Sequence, residues 1–328
     1  MGRINYIDEL KGFTILVVVL AHVYFITLNH PSSTVFRVSA SFEMYLFMFI
    51  SGFVAYLPKN TLNEEQLVAK TKNRVISYIV PGYMISWIVL GIRLLLSQDN
   101  SLSFYNFIEG YWYLKSLSIY CLLGYVLYKC KKIWQELTIC ILVYVLFYIG
   151  WKYNKVLNNI FNLEHVVCFF PFYMMGLYAR RYDVFNNVKI NGWVICSISA
   201  LLYVLLMSMS LHSHWINTLL QRGVIPIIAI ICMIYLFRNR EKESTAIDKW
   251  LKAIGGCTLD IYLYHVVILG QFFIPIKYTL FYRYTLGGLL EFIFALILTI
   301  VITYISIYVG RLVRRSNIGS RLIYGKWN

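Results

Sequence analysis

Charged residues are scarce in this chain of 328 residues, and their scarcity argues against an ordinary soluble domain. Only 14% of the residues are Asp, Glu, Lys or Arg, whereas 59% are hydrophobic and the mean hydropathy is +0.65. Soluble domains carry about a quarter charged residues. The apolar residues gather in runs close to the roughly 20 residues that a helix needs to cross a bilayer. The composition therefore predicts an integral membrane protein.

Motifs for metals, disulfides and serine nucleophiles are also lacking. The seven cysteines form no Cys-x-x-Cys pair and no metal-ligand spacing, so we expect neither a disulfide framework nor a metal site. No Gly-x-Ser-x-Gly motif is present, so a hydrolase-like serine is not invoked. The net charge of +15 does not indicate nucleic-acid binding, because the basic residues lie between apolar runs and not on one soluble segment.

The apolar runs predict an all-α bundle of about ten transmembrane helices that forms a single domain over residues 1–328. The first run is not a cleaved signal peptide, because no small-residue cleavage site follows it and a histidine lies inside it. The predicted spans are 13–28, 38–57, 75–96, 112–128, 133–151, 164–179, 193–211, 219–237, 257–276 and 286–310.

The distribution of Lys and Arg predicts the orientation of these spans. Ten spans place both termini and every even-numbered connection on one side, and that side holds 22 of the 30 basic residues. The positive-inside rule therefore predicts that both termini are cytoplasmic. The other side and its helix ends hold Arg37, Arg93, Lys115, Lys152, Lys155, Arg222, Lys277 and Arg283.

Lys11 and His22 are the candidate functional pair of the first span. An ionisable group at membrane depth is a functional candidate because lipid penalises it unless it is paired or faces a cavity. A helix rises about 16 Å over eleven residues and brings the two side chains to within about 20° of one face. Lys11 would then lie at the cytoplasmic interface and His22 near the bilayer centre. The structural alternatives are an orientation anchor for Lys11 and a packing role for His22.

Glu43 is the acidic group of the second span. Its depth below the outer surface matches that of His22, so adjacent antiparallel helices would bring the carboxylate beside the imidazole. Such a carboxylate orients a general base and favours its protonated form. The alternative is that Glu43 pairs with Arg37 or Arg93 near the outer surface.

Several motifs occur in an order that resembles one known family. The first is Asp8-Glu9-Leu10-Lys11-Gly12 followed by His22, and the second is a Phe-rich run that ends in Ser51-Gly52-Phe53. The others are Arg74 with Pro81, Trp112-Tyr113-Leu114, Phe170-Pro171-Phe172 with Gly176-Leu177-Tyr178, and Thr258 with Ile261-Tyr262-Leu263-Tyr264-His265. This set resembles the membrane-bound acyltransferase family 3, in particular its fucose 4-O-acetylase-like branch. Lys11 stands where that family often has Arg, and Glu43 and Tyr45 stand where the branch usually has His and Pro.

The resemblance implies transfer of an acyl group, usually acetyl, from cytoplasmic acyl-CoA to a sugar hydroxyl. The acceptor would be a cell-surface polysaccharide or its lipid-linked precursor, and the enzyme would lie in the bacterial cytoplasmic membrane. Lys11, Lys72 and Arg74 would hold the CoA phosphates. His22 would act as general base or accept the acyl group transiently, with Glu43 as its catalytic partner.

Further polar and aromatic residues are candidates for substrate contacts. His265 lies at mid-membrane depth in the ninth span, one turn after Tyr262. It would help to bind the acyl donor or the acyl acceptor, and the alternative is a structural role in which it bonds to a neighbouring helix. Glu164 and His165, near the outer end of the sixth span, are acceptor contacts or solvated residues. Trp112 stacks on a sugar or belongs to the aromatic belt at the membrane interface.

Two other functions are compatible with such a chain. A transporter of saccharide or acyl-carrying units would have paired intramembrane charges and broken helices in matching halves, yet the sequence has no internal symmetry. A membrane scaffold would tolerate replacement of His22.

Overall fold

The computed structural model describes residues 4–59, 61–95, 111–209, 220–240, 245–270 and 288–325. These residues form helices and connecting turns and include no strand, which confirms the all-α class. The helices are α1 (Asn5–His22), α2 (Thr34–Ala40), α3 (Glu43–Ala55), α4 (Glu64–Leu95), α5 (Trp112–Lys129), α6 (Ile133–Tyr153), α7 (Lys155–Phe161), α8 (Leu163–Arg181), α9 (Val184–Asn187), α10 (Gly192–Met209), α11 (Ile225–Arg240), α12 (Ala246–Gly255), α13 (Thr258–Ile268), α14 (Gly288–Arg315) and α15 (Asn317–Tyr324). Turns of π-helix extend α1 over Val23–Thr27 and precede α11 over Leu220–Val224.

Six helical stretches of the described chain are long and apolar enough to cross a membrane. They are Asn5–Thr27, Thr34–Ala55, Ile133–Tyr153, Gly192–Met209, Leu220–Arg240 and Gly288–Arg315. The count becomes eight if two bent helix pairs, α7 with α8 and α12 with α13, each form one span. Helices occupy most of the described residues of all ten predicted spans, although a turn at Ser41 and Phe42 divides the second span between α2 and α3. The count of the spans and the side of the termini stay predictions. Residues 96, 210–211, 219, 271–276 and 286–287 of those spans lie outside the described residues.

The two bent pairs have local causes. Asn162 adopts a left-handed backbone with φ of 52°, and α7 and α8 meet there at 57°. Asparagine tolerates that conformation better than most residues. Gly256 and Cys257 separate α12 from α13, which meet at 77°.

The chain divides into two compact units, each assembled from segments distant in sequence. The first comprises Met1–Ile50 and Phe185–Arg311, and the second comprises Ser51–Val184 and Leu312–Asn328. The single domain predicted from the sequence stays a prediction.

The first unit is organised around α1. This helix packs against α2, α11, α12 and α13. It approaches α12 closely, because Gly12 faces the backbone of Leu251 and Gly255 faces the backbone of Asp8. A β-carbon at either glycine would overlap a carbonyl oxygen. Glycine is thus required on both sides of this crossing.

The second unit is held together by a buried carboxylate. Glu136, in the first turn of α6, is 1% exposed and pairs with both Lys59 and Arg181. The hydroxyl of Tyr178 on α8 also donates to it, at 3.3 Å. Glu136 therefore ties α6 to the end of α8 and to the segment after α3.

Replacement of Gly255 by alanine is expected to destabilise the first unit. The new methyl group would meet the Asp8 carbonyl oxygen, and overpacking of this kind costs about 2 kcal/mol. The thermal unfolding midpoint of the purified protein in detergent should fall. The matched control is Gly256→Ala, whose methyl group would lie at an ordinary 3.4 Å from its nearest neighbour, the Ala253 carbonyl oxygen. Equal midpoints for the two variants would contradict the close crossing.

Replacement of Glu136 by glutamine is expected to destabilise the second unit. The amide keeps the shape but leaves Lys59 and Arg181 without their shared negative charge, which costs about 3 kcal/mol for a buried pair. Thermal unfolding measures the loss. The control is Glu64→Gln, which removes an exposed pair with Lys129 and should change the midpoint little. A Glu136→Gln midpoint like that of the wild type would show that the cluster does not stabilise the unit.

Candidate functional site

His22 is the last residue of α1 and is half-buried. Its Nδ1 atom lies 2.8 Å from the Val18 carbonyl oxygen, one turn earlier on the same helix. A carbonyl oxygen only accepts, so Nδ1 carries the hydrogen and the neutral ring presents the lone pair of Nε2. No hydrogen bond reaches Nε2 from the described part of the chain. His22 is therefore in the form that a general base or a nucleophile needs.

Lys11 lies on the same continuous helix, as predicted. The rise of about 16 Å and the shared face follow from the helical geometry between the two residues. The ammonium group of Lys11 lies 3.1 Å from the Asp8 carboxylate, one turn earlier. Part of its charge is thus already neutralised, which weakens Lys11 as a phosphate ligand.

His265 on α13 is the side chain that meets His22. The two ring centroids lie 5.0 Å apart with the rings at 86° to each other. His265 is 1% exposed, and its Nδ1 atom lies 2.7 Å from the Ile261 carbonyl oxygen. Its Nε2 atom is buried without a hydrogen-bond partner. Tyr262 completes the group, with its ring centroid 6.0 Å from that of His265.

The structure does not bring Glu43 to His22 in the way the sequence suggested. Glu43 is buried at the start of α3, yet neither of its carboxylate oxygens hydrogen bonds to His22, and its Oε2 atom has no partner. A turn at Ser41 and Phe42 separates α2 from α3, and the Nδ1 atom of His22 is bonded to the Val18 carbonyl oxygen. The catalytic role of Glu43 stays a prediction.

Lys70 and Arg74 form the cationic group of the second unit. They are four residues apart on α4 and so share a face, whereas Lys72 lies on a different face. Arg74 donates a hydrogen bond of 3.2 Å to the Ala55 carbonyl oxygen. Partial desolvation and the nearby positive charge of Arg74 lower the pKa of Lys70. An anion bound beside Arg74 would relieve this repulsion.

Lys70 and Arg74 both line a small cavity of about 60 Å³. Its charged lining consists of Lys59, Lys70, Arg74, Arg181 and Glu136. Because Glu136 pairs with Lys59 and Arg181, the charge that remains for a ligand comes from Lys70 and Arg74. The sequence interpretation chose Lys72 and missed Lys70, although the spacing of Lys70 and Arg74 by one helical turn was available as a signal.

Trp112 and His165, both predicted as substrate contacts, lie together in the second unit. The Trp112 ring stacks on His165 at 4.4 Å and on Phe169 at 4.9 Å between centroids. His165 and Phe169 are 6.4 Å apart, so they cover the same face of the indole. The backbone N–H of Glu164 donates to the Asn158 side chain at 3.0 Å, which anchors the start of α8. This cluster positions Trp112 through packing.

His22 and His265 thus lie side by side in the first unit, each with Nδ1 bonded to a carbonyl oxygen of its own helix. A family model described as an acyltransferase domain matches residues 4–308, which is nearly the whole chain. Neither a curated protein nor a solved structure matches. The match spans both compact units and the helices that are apolar enough to cross a membrane. The chain belongs to the acyltransferase 3 family and is a multi-pass membrane acyltransferase.

Proposed function

We propose that this acyltransferase moves an acetyl group from cytoplasmic acetyl-CoA to a hydroxyl of a cell-surface polysaccharide or of its lipid-linked precursor. The ordered motifs from Lys11 to His265 support assignment to the fucose 4-O-acetylase-like branch. The basic residues beside the helices support a bacterial cytoplasmic membrane protein with both termini inside.

The observation that carries this proposal is the state of His22. Its Nδ1–H is held by the Val18 carbonyl, so the Nε2 lone pair is available to a substrate. As a general base, Nε2 takes the proton of the acceptor hydroxyl while the hydroxyl oxygen attacks the thioester carbonyl carbon. The carbon–sulfur bond then breaks, and the CoA thiolate takes the proton from the imidazolium. The same lone pair is also the nucleophile of the alternative route, in which His22 carries the acetyl group transiently.

The donor phosphates are assigned to the second unit. Lys70 and Arg74 present two adjacent positive charges at a cavity, and Arg offers phosphate a paired set of donors. Lys72 is a further candidate on the same helix, and Lys11 is a weaker one because of its pair with Asp8. The proposed phosphate ligands belong to the second unit and the proposed base belongs to the first. A separate experiment therefore tests each assignment.

The acceptor contacts are proposed at the aromatic groups. Trp112 presents a large ring already held by His165 and Phe169, and such rings stack on the apolar faces of sugars. Glu164 begins α8 beside His165 and supplies a carboxylate for hydroxyl groups. Tyr262 and His265, in the first unit, are separate candidate contacts.

Replacement of His22 by alanine or glutamine is expected to lower acetylation at least about a hundredfold, because the hydroxyl then loses its base. The assay follows CoA release and glycan acetylation by the purified protein in detergent, with acetyl-CoA and a surface-glycan extract. The control is His30→Ala, since His30 is exposed and bonds to Glu291. Radiolabelled acetyl-CoA without acceptor tests for an acetyl group that stays on the wild-type protein.

Acetylation by His22→Ala at the wild-type rate would contradict the role of His22. A wild-type protein that neither binds acetyl-CoA nor acetylates any extract would contradict the donor and acceptor proposed here.

Replacement of Lys70 by glutamine is expected to weaken acetyl-CoA binding about tenfold, since one charge-assisted hydrogen bond to phosphate is lost. Binding is measured by competition against radiolabelled acetyl-CoA. The matched comparison is Lys72→Gln, which removes the same charge two residues away, on a different helix face. A larger loss in Lys72→Gln than in Lys70→Gln would overturn the choice of face.

A further inference from the structure

The Nε2 atom of His265 is a buried acceptor without a donor. The ring is 1% exposed, and its Nδ1–H is committed to the Ile261 carbonyl at 2.7 Å. No group of the described chain hydrogen bonds to Nε2. Most buried polar atoms in native proteins have a partner, so an exception points to a function or to a ligand that completes the site.

His22 repeats the same local arrangement beside it. Each histidine donates Nδ1–H to the carbonyl oxygen four residues earlier on its own helix, and each therefore offers Nε2 as an acceptor. The ring centroids are 5.0 Å apart. The first unit thus presents two neighbouring hydrogen-bond acceptors on two helices. Catalysis by one general base needs only one of them, so the second acceptor has another role.

The chemistry of the substrates indicates which ligand meets both acceptors. The phosphates and the thioester carbonyl of the donor offer only acceptors, and the amide N–H and hydroxyl donors of its pantetheine arm are several bonds apart, so the donor does not present two adjacent hydrogens. A sugar carries hydroxyl donors on adjacent carbons, which reach two neighbouring acceptors from one ring. While one hydroxyl gives its proton to His22, the next is placed to donate to His265.

We propose that His265 binds the acceptor through a second hydroxyl, so that the preferred acceptor carries a hydroxyl adjacent to the one that is acetylated. This inference rests on the function proposed above. It assigns a substrate class, the vicinal diol, and gives the two histidines different tasks. His22 takes the proton of the reacting hydroxyl, and His265 fixes the sugar through its neighbour.

The experiment compares acceptors that differ by one hydroxyl. The probes are octyl glucoside and its monodeoxy analogues, used with the full-length protein in a detergent that has no hydroxyl groups. For the wild type, the analogue that lacks the neighbouring hydroxyl should have a kcat/KM roughly tenfold to a hundredfold lower, because His265 is then left unpaired. The analogue that lacks a remote hydroxyl is the control and should react like the parent.

The variant His265→Leu should lose this discrimination. It should acetylate the parent sugar as slowly as the wild type acetylates the analogue without the neighbouring hydroxyl, and the two sugars should react alike. His265→Gln keeps an acceptor oxygen and should restore part of the difference. A merely structural role of His265 would slow all acceptors by the same factor and leave their ratio unchanged.

The possible outcomes are distinct. If the wild type acetylates all the sugars equally, or if His265→Leu keeps the wild-type ratio, the inference is wrong while the acetyltransferase function stands. If His265→Leu does not fold, the test is the ratio of kcat/KM for the parent sugar to kcat/KM for the analogue without the neighbouring hydroxyl, measured for the wild type and for His265→Gln. A smaller ratio in His265→Gln supports the inference, and an unchanged ratio contradicts it. If the wild type acetylates none of these sugars although it acetylates a glycan extract, the diol assignment is overturned. If it acetylates neither, the proposed function itself fails.

Discussion

The hydrocarbon of a membrane offers no hydrogen bonds, and the rest of this structure depends on that constraint. Each backbone group must be satisfied within the chain, which leaves helices as the structure for the described apolar runs. The same carbonyls serve buried side chains. Thr14, Ser116, Ser118, Thr299 and Thr303 all donate to the carbonyl four residues earlier, and the histidine pair does the same through Nδ1. The helix itself therefore sets the tautomer that leaves the lone pair of His22 on Nε2.

The same constraint separates structural polar groups from functional ones. Glu136 is buried but forms ion pairs with both Lys59 and Arg181, so its role is to hold helices together. The Oε2 atom of Glu43 and the Nε2 atom of His265 are buried without partners. A low-dielectric interior makes such orphaned atoms costly, which is why these two are candidates for contact with a substrate. The two kinds of polar group are distinguished by their contacts, and residue type alone does not separate them.

The sequence predicted the helices well because apolar length is a local property. Helices occupy most of the described residues of each predicted span, and the spacing of Lys11 and His22 was sufficient to predict their common face. The carboxylate of Glu43 forms no hydrogen bond to His22 in the described chain, and its catalytic role stays a prediction. Lys72, predicted with Arg74 as a phosphate ligand, does not line the cavity, whereas Lys70 does.

The sequence by itself determined the class of protein, the positions of its helices and the one histidine at membrane depth in the first span. Those properties follow from composition and from the fixed geometry of a single helix. Only the tertiary structure decided that His265 lies beside His22, and that Glu136 pairs with two of the cations that line a cavity with Arg74. The reason is that contacts between helices depend on crossings such as that of Gly12 and Gly255, where a few small residues far apart in sequence set which faces meet.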